Sequence, residues 1–394
     1  MHPPFTATIE FQMSLLLFVA LAGYLLASRI NQSAVIGEIL VGLLIGPSLL
    51  GLITYTDFVQ SVAHLGAVIL LFVVGLEFKL KDVFSPRYSL IALIGVIVPW
   101  IGGFWTAKAF GYNFENAVFV GTALTATSIA ITANVLKEMG KLQTDAAKAI
   151  IGAAVMDDIL SLLALSFSKQ FVEGSLSFVS VLIPLIKAAL FLAIGLYVGH
   201  KFLSRLIERI DRSALARKYP EFVFIFAMML AFFYAMVAEG LHLSAIVGAF
   251  IAGISLEGAV VRHGKDYKEG AEYLHIIFAS IFFVSLGILV DVHVLTPAVL
   301  LFLCVLTVVA VLTKVLGCSL PARWLGMSVR DSAVVGFGMS PRGEVAMIVG
   351  LIGLNQGLIT QEIYAAIIFM SLLTTVVTPI VLRNWLYKDV GRVS

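Results

Sequence analysis

Thirteen apolar runs of roughly 17 to 30 residues follow one another along this chain, each long enough to cross the hydrocarbon core of a bilayer as a helix. They lie at about 10–28, 34–54, 61–78, 88–111, 115–137, 146–168, 177–204, 219–240, 243–258, 270–290, 296–320, 331–352 and 360–386, the third and ninth being the shortest. A soluble fold could not bury so many such runs, so the expected class is an all-α polytopic membrane protein. Of the 394 residues 60% are hydrophobic and only 13% charged, which is outside the soluble range. No Lys or Arg precedes Arg29, so the first run lacks the basic start of a secretory signal and reads as a retained span. No soluble domain is evident at either end. Cys304 and Cys318, fourteen residues apart in one apolar run, have no metal-ligand spacing and read as packing residues.

The loops test the count, because connections between spans alternate sides and the cytoplasmic set should hold the Lys and Arg. One side takes 21 of the 26 basic residues: Arg29; Lys79, Lys81, Arg87; Lys137, Lys141, Lys148; Lys201, Arg205, Arg209, Arg212, Arg217, Lys218; Arg262, Lys265, Lys268; Arg323, Arg330; Arg383, Lys388 and Arg392. The other side has only Lys169, and Lys108, Lys187, Lys314 and Arg342 fall within runs. One miscounted span would scramble this pattern. The N-terminus is therefore expected outside and the C-terminus inside.

An internal repeat suggests the architecture. SAVIGEILVGLLI (33–45) is echoed by SAIVGAFIAGISL (244–256), and FVVGLEF (72–78) by FVSLGIL (283–289), both at an offset of 211. GTALTATSIAITAN (121–134) is echoed by GFGMSPRGEVAMIV (336–349) at 215. Two six-helix repeats with the seventh run as a linker helix put the second copy into the membrane upside down, an inverted repeat of the kind secondary transporters use.

Asp157 and Asp158 stand side by side about eleven residues into the sixth run, near the midplane. Two carboxylates there are costly enough to need a reason, and a cation and proton site is one. Adjacent helical residues point about 100° apart, so one acid can pair internally while the other faces a cavity. The second repeat has Leu372 and Leu373 at the corresponding positions, so the acids belong to one half only. Lys314 in the eleventh run is the obvious internal cation. Burial and pairing act in opposite senses on such a pair, which suits proton coupling; the alternative is a lysine that snorkels to the cytoplasmic surface. Pro341 and Gly343, in SPRGEVAM, remove a helical hydrogen bond beside Arg342 and Glu344, so the twelfth run reads as a broken helix whose exposed ends a cation and an anion can compensate. Its repeat partner has Thr125, Ala126, Thr127 and Ser128; a break there rests on the symmetry, since hydroxyls also bond the preceding turn of an intact helix. Glu38, Glu77 and Glu257 lie toward inner ends, where they line a funnel or meet water, and Asp291 lies at an outer end. Lys108 and Lys187 carry no assigned role.

GEILVGLLIGPSLLG (37–51), the GLE of 75–77, TALTATSIAIT (122–132), the acid pair, Lys314 and SPRGEVAM (340–347) together resemble the monovalent cation/proton antiporters, and within them the bacterial sodium/proton antiporters of the NapA type. The resemblance implies an NhaA/NapA-like fold of thirteen helices, with the fifth and twelfth broken and crossing beside the acids. It implies a dimerisation domain of 1–84 and 215–294, a core of 85–172 and 295–394, and a linker helix in 173–214. Asp158 then matches the ion-binding carboxylate, Asp157 the partner of Lys314, and Thr127 a contributor near the crossing, with Thr125, Ser128, Arg342 and Glu344 supporting the breaks. Members with Asp-Asp are associated with electrogenic exchange. Related potassium efflux systems carry Gln-Asp and a nucleotide-binding regulatory domain; this chain has neither, which favours sodium.

The expected function is thus sodium or lithium/proton exchange by alternating access in pH homeostasis, by a homodimer in the inner membrane of a prokaryote. It needs no cofactor beyond the transported ions and no nucleic acid, and it is not an enzyme. The alternatives are a potassium/proton antiporter, a channel on the same scaffold, and an intramembrane aspartyl protease. A protease places its two acids on different helices, one after Gly-x-Gly, whereas Met339 follows Gly336-Phe337-Gly338 here.

Overall fold

The computed structural model describes residues 8–30, 32–79, 85–173, 178–219, 221–257, 259, 267–294 and 296–388. Lys81, Arg262, Lys265 and Arg392 lie outside the described residues, as do the side chains of Lys169, Arg217 and Glu344.

All regular structure among the described residues is helical. In chain order the helices are α1 (Ile9–Arg29), α2 (Ala34–Ile45), α3 (Asp57–Leu76), α4 (Pro86–Ala109), α5 (Phe114–Ala123), α6 (Ile129–Glu138), α7 (Asp145–Glu173), α8 (Phe178–Val198), α9 (Ser204–Asp211), α10 (Ala214–Lys218), α11 (Glu221–Gly240), α12 (Ala245–Leu256), α13 (Tyr267–Ile288), α14 (Pro297–Trp324), α15 (Val329–Gly338), α16 (Glu344–Asn355) and α17 (Gln361–Val381). Hydroxyl and amide side chains set several starts: Thr56, Asn113, Thr296, Ser328 and Thr360 each accept a backbone N–H from the first turn.

Eight helices among the described residues are long and apolar enough to cross a membrane. The remaining runs take other forms. The second was expected to cross over 34–54, but α2 stops after 12 residues, about 18 Å of helix, because Gly46 and then Pro47 cannot continue it. It is α2, rather than the 20-residue α3, that is short. α12 is likewise 12 residues. The sixth run is the 29-residue α7, which carries the acids, and the fifth and twelfth are interrupted as α5–α6 and α15–α16.

Two sets of helices pack mainly among themselves. α2 packs on α1 and α13, and α12 packs on α3 and α11. Close approach here depends on glycine. A Cβ on Gly42 would run into the carbonyl of Val284, and one on Gly287 into that of Ile39; Gly75 and Gly253 stand in the same relation to Phe250 and Phe72. Packing between apolar helices in lipid depends on such small residues, since lipid tails compete equally for apolar side chains. In the second set α4 packs on α5, α7 and α14, and α17 packs on α14 and α16.

α14 illustrates how the sequence divides a span. Leu301, Val308, Leu312, Leu316 and Leu320 are exposed, forming an apolar stripe that suits lipid. The opposite stripe of Val299, Leu303, Leu306, Ala310, Lys314 and Cys318 is buried. Lys314 therefore occupies a core position that its neighbours at i−4 and i+4 share. Cys304 is exposed and Cys318 buried, both free thiols.

Candidate ion-binding site

The two interrupted helices meet at their interruptions. α5 ends at Ala123 and α6 begins at Ile129; α15 ends at Gly338 and α16 begins at Glu344. Ser128 N donates to Pro341 O at 2.9 Å, Thr132 Oγ1 to Gly338 O at 2.6 Å and Thr127 Oγ1 to Met339 O at 3.3 Å. A backbone that has left its helix inside a membrane must find such partners within the protein. Gly343 permits the approach, since a Cβ on it would lie 2.6 Å from that of Ser128. The hydroxyls of the first break do both things open to them. Thr122 and Thr125 bond back to Val118 O and Thr122 O, while Thr127 and Thr132 reach across.

Each half-helix that ends at the crossing meets a buried cation. Lys314 Nζ donates to Thr125 O at 2.8 Å, beyond the end of α5. Arg342 Nη1 donates to Ser340 O at 3.0 Å and Met339 O at 3.4 Å, beyond the end of α15, and Nη2 to Ala310 O at 3.4 Å. Positive charge suits these carbonyl ends, where the helix dipole is negative. Both cations are fully buried, so Lys314 does not snorkel. Glu344 is the first residue of α16.

The acid pair divides on α7. Asp157 is fully buried and its Oδ1 accepts from Lys314 Nζ at 2.7 Å. Asp158, on the adjacent face, is half-buried. Asp157 Oδ2, Ser128 Oγ and Ser161 Oγ are buried oxygens with no hydrogen-bond partner among the described residues. Ser161 was not singled out from the sequence, although its spacing of four from Asp157 puts both on one helix face. Gly95 of α4 was also missed. It makes room for the lysine, because a Cβ there would lie 2.6 Å from Cys318 Sγ and 3.8 Å from Lys314 Cε. The Thr125 carbonyl, as a backbone group, left no signal at all.

The other acids stand apart. Of the two readings for Glu38, meeting water does not hold, since it is 2% exposed within α2. Glu77 pairs with Lys137 at 2.7 Å, and the Glu257 carbonyl accepts from Lys268. Asp291 is part-exposed, and the backbone N–H of His293 holds its carboxyl below the usual range.

The crossing thus brings backbone carbonyls, hydroxyls, a buried carboxylate and a buried ammonium together in the interior. Comparison with known proteins decides the family: the family model described as sodium/hydrogen exchanger, transmembrane, matches residues 15–388. The chain belongs to this family.

Among individual sodium/hydrogen exchangers, the Na(+)/H(+)-K(+) antiporter GerN of Bacillus cereus is 34% identical over 95% of each chain. The Na(+)/H(+) antiporter of Enterococcus hirae is 32% identical over 95% of this chain and 97% of that one. The sodium proton antiporter MjNhaP1 of Methanocaldococcus jannaschii, at pH 8, superposes with a TM-score of 0.68 over 97% of this chain and 98% of that one. At 20% identity that match shows the fold alone. The sodium/hydrogen exchangers are transporters rather than enzymes, and this one is a multi-pass membrane protein.

Proposed function

We propose that this exchanger is an electrogenic sodium or lithium/proton antiporter in which the cation and protons compete for the Asp157–Asp158 pair. The observation that carries the reading is the inequality of the acids: Asp157 is sealed against Lys314 at the crossing, while Asp158 beside it is only half-buried. Asp158 binds Na+, with oxygens near Thr127 completing a shell of the hard ligands such a cation prefers. Asp157 and Lys314 carry the coupled proton. Thr125, Ser128, Arg342 and Glu344 hold the two breaks. No cofactor takes part beyond the transported ions.

The same reading counts thirteen spans, with α5–α6 and α15–α16 as one each and α2 and α12 as short ones, arranged as two inverted six-helix repeats about α8. The division of the packing supports a dimerisation domain of 1–84 and 215–294, a core of 85–172 and 295–394 and a linker in 173–214. Alternating access is movement of that core against a homodimeric scaffold, with the N-terminus outside and the C-terminus inside a prokaryotic inner membrane, the side on which the basic loops lie.

The names of both relatives above include Na+, which favours sodium; that of GerN also includes K+, so potassium belongs in the test. Purified protein in liposomes with an imposed pH gradient is given Na+, Li+ or K+, with and without a membrane potential. Na+ and Li+ should dissipate the gradient at a rate that the potential alters. Dissipation by K+ alone overturns the sodium assignment, and indifference to the potential overturns electrogenic exchange.

A further inference from the structure

The end of the chain carries a feature that neither the acid pair nor the family accounts for. Ser371, Thr374, Thr375 and Thr378 of α17 are spaced at i, i+3, i+4 and i+7, one helix face, and none is more than 1% exposed. Four buried hydroxyls in an apolar helix need partners. Part of the need is met within the helix, since Thr374 Oγ1 donates to Ser371 O at 2.9 Å. Ser371 Oγ itself has no partner among the described residues, and the other three hydroxyls turn to the second break. Arg342 N donates to Thr374 Oγ1 at 3.1 Å, and Thr375 Oγ1 donates to Arg342 O at 3.0 Å. Ser340 Oγ and Thr378 Oγ1 are 2.8 Å apart, and Thr378 Oγ1 reaches Phe337 O at 3.1 Å.

The protons balance. A hydroxyl has one to give and two lone pairs to offer. Thr374 gives its own to Ser371 O and accepts the Arg342 N–H. Thr375 Oγ1 lies 2.8 Å from Ser371 O as well as 3.0 Å from Arg342 O, so its one proton is shared between the two carbonyls. Ser340 and Thr378 share a hydrogen bond in which either can donate, and the other's proton goes to Phe337 O, which lies 2.9 Å from Ser340 Oγ and 3.1 Å from Thr378 Oγ1. Arg342 lies outside any helix, so both its backbone groups are pairless without α17.

We propose that Thr374 and Thr375 are positioning residues for cation exchange. By holding both backbone groups of Arg342 they fix Pro341 O, which receives Ser128 N, and so set where the first break and Thr127 stand against the acids. This rests on the reading of the crossing as the ion site. At the offset of 215 the first half has Ile159 and Leu160 in place of the two threonines, and Asp157 and Asp158 in place of Leu372 and Leu373. The two halves thus divide the work: α7 supplies the carboxylates, and α17 supplies the hydroxyls that hold the frame.

The test uses the full chain in liposomes, reading the apparent KM for Na+ and Li+, the maximal rate and the pH profile. Thr374→Val/Thr375→Val keeps the shape and removes both hydroxyls; its KM should rise about tenfold and its pH profile should shift, with Thr374→Ser/Thr375→Ser within about twofold of the parent. The single Thr375→Val variant, which keeps the Thr374 bond, is measured alongside in case the double variant does not fold, and its KM should move the same way by less. Parental KM and pH profile in a folded valine variant overturn the proposal, as does a loss of maximal rate with KM unchanged or a serine variant as impaired as the valine one. Asp158→Asn in the same assay separates the two readings. If it still exchanges Na+, the site assignment is what fails; if it is inactive while the valine variants match the parent, the positioning role alone is lost.

Discussion

Lys314 Nζ stands 2.7 Å from Asp157 Oδ1 and 2.8 Å from the carbonyl of Thr125, so one buried ammonium joins the acid helix to the first break. Removing either charge strands the other where water does not reach, which costs about 3–5 kcal/mol, whereas removing both costs much less. Lys314→Met and Asp157→Asn should each lower thermal stability in detergent by several degrees. The double variant should recover part of the loss, with a coupling of about 1–3 kcal/mol in a double-mutant cycle. Additive losses would mean that the pair does not act as a unit.

Asp158 makes a different prediction. A ligand at concentration L that binds only the folded protein stabilises it by RT ln(1 + L/Kd), so its melting temperature rises with the logarithm of ligand concentration once that exceeds Kd. Added Na+ should therefore stabilise the parent, and the effect should weaken as the pH falls and protons take the carboxylate. In Asp158→Asn the Na+ effect should vanish, together with cation-driven proton movement, while the protein stays folded. Sodium-dependent stabilisation that survives in this variant would move the cation elsewhere.

The spans were legible because an apolar helix in a bilayer is written in composition and length. The acids, Lys314 and the Pro341–Gly343 break were legible because each is costly at that depth. What escaped the reading depended on space rather than on type. The shortness of α2 turned on Gly46 and Pro47, which the apolar run of 34–54 concealed. Glu38 looks like a residue at an inner end and lies buried, because the distance along a run does not reveal what packs over it. The Thr125 carbonyl carries no side-chain signal, and the cavity that Gly95 leaves for Lys314 comes from another helix. The threonines of α17 were visible as a period of three and four, but nothing in their own run says that Arg342 is their partner.

The glycine crossings give a prediction about stability. Gly42→Val puts a side chain against the backbone of α13, at Val284, and no rotamer avoids it. Overpacking of this kind costs about 1–3 kcal/mol or more, so the folded yield and the melting temperature should both fall. Gly51, with φ of +59° and open space around it, is the control. Gly51→Ala should cost only about 1 kcal/mol of backbone strain. Equal losses at the two sites would remove the argument from close approach.

The last prediction concerns Lys137 of α6, whose ammonium bridges Glu77, beyond α3, at 2.7 Å and Glu272 of α13 at 3.2 Å. Ser33 donates to Glu138, and Gln143 to the carbonyl of Glu77, so this end of α6 is tied to the first helix set at several points. The two glutamates are 35% and 55% exposed, which limits the bridge to about 1 kcal/mol of stability. Lys137→Met should accordingly leave the melting temperature nearly unchanged. If the core moves against the scaffold, however, these bonds break once per cycle, and about 1 kcal/mol on a two-state equilibrium is about fivefold in population. Turnover should change by up to that factor, and the difference from the parent should shrink when choline chloride raises the ionic strength at constant Na+. A large fall in melting temperature with turnover unchanged would make the bridge a part of the fold and not of the movement.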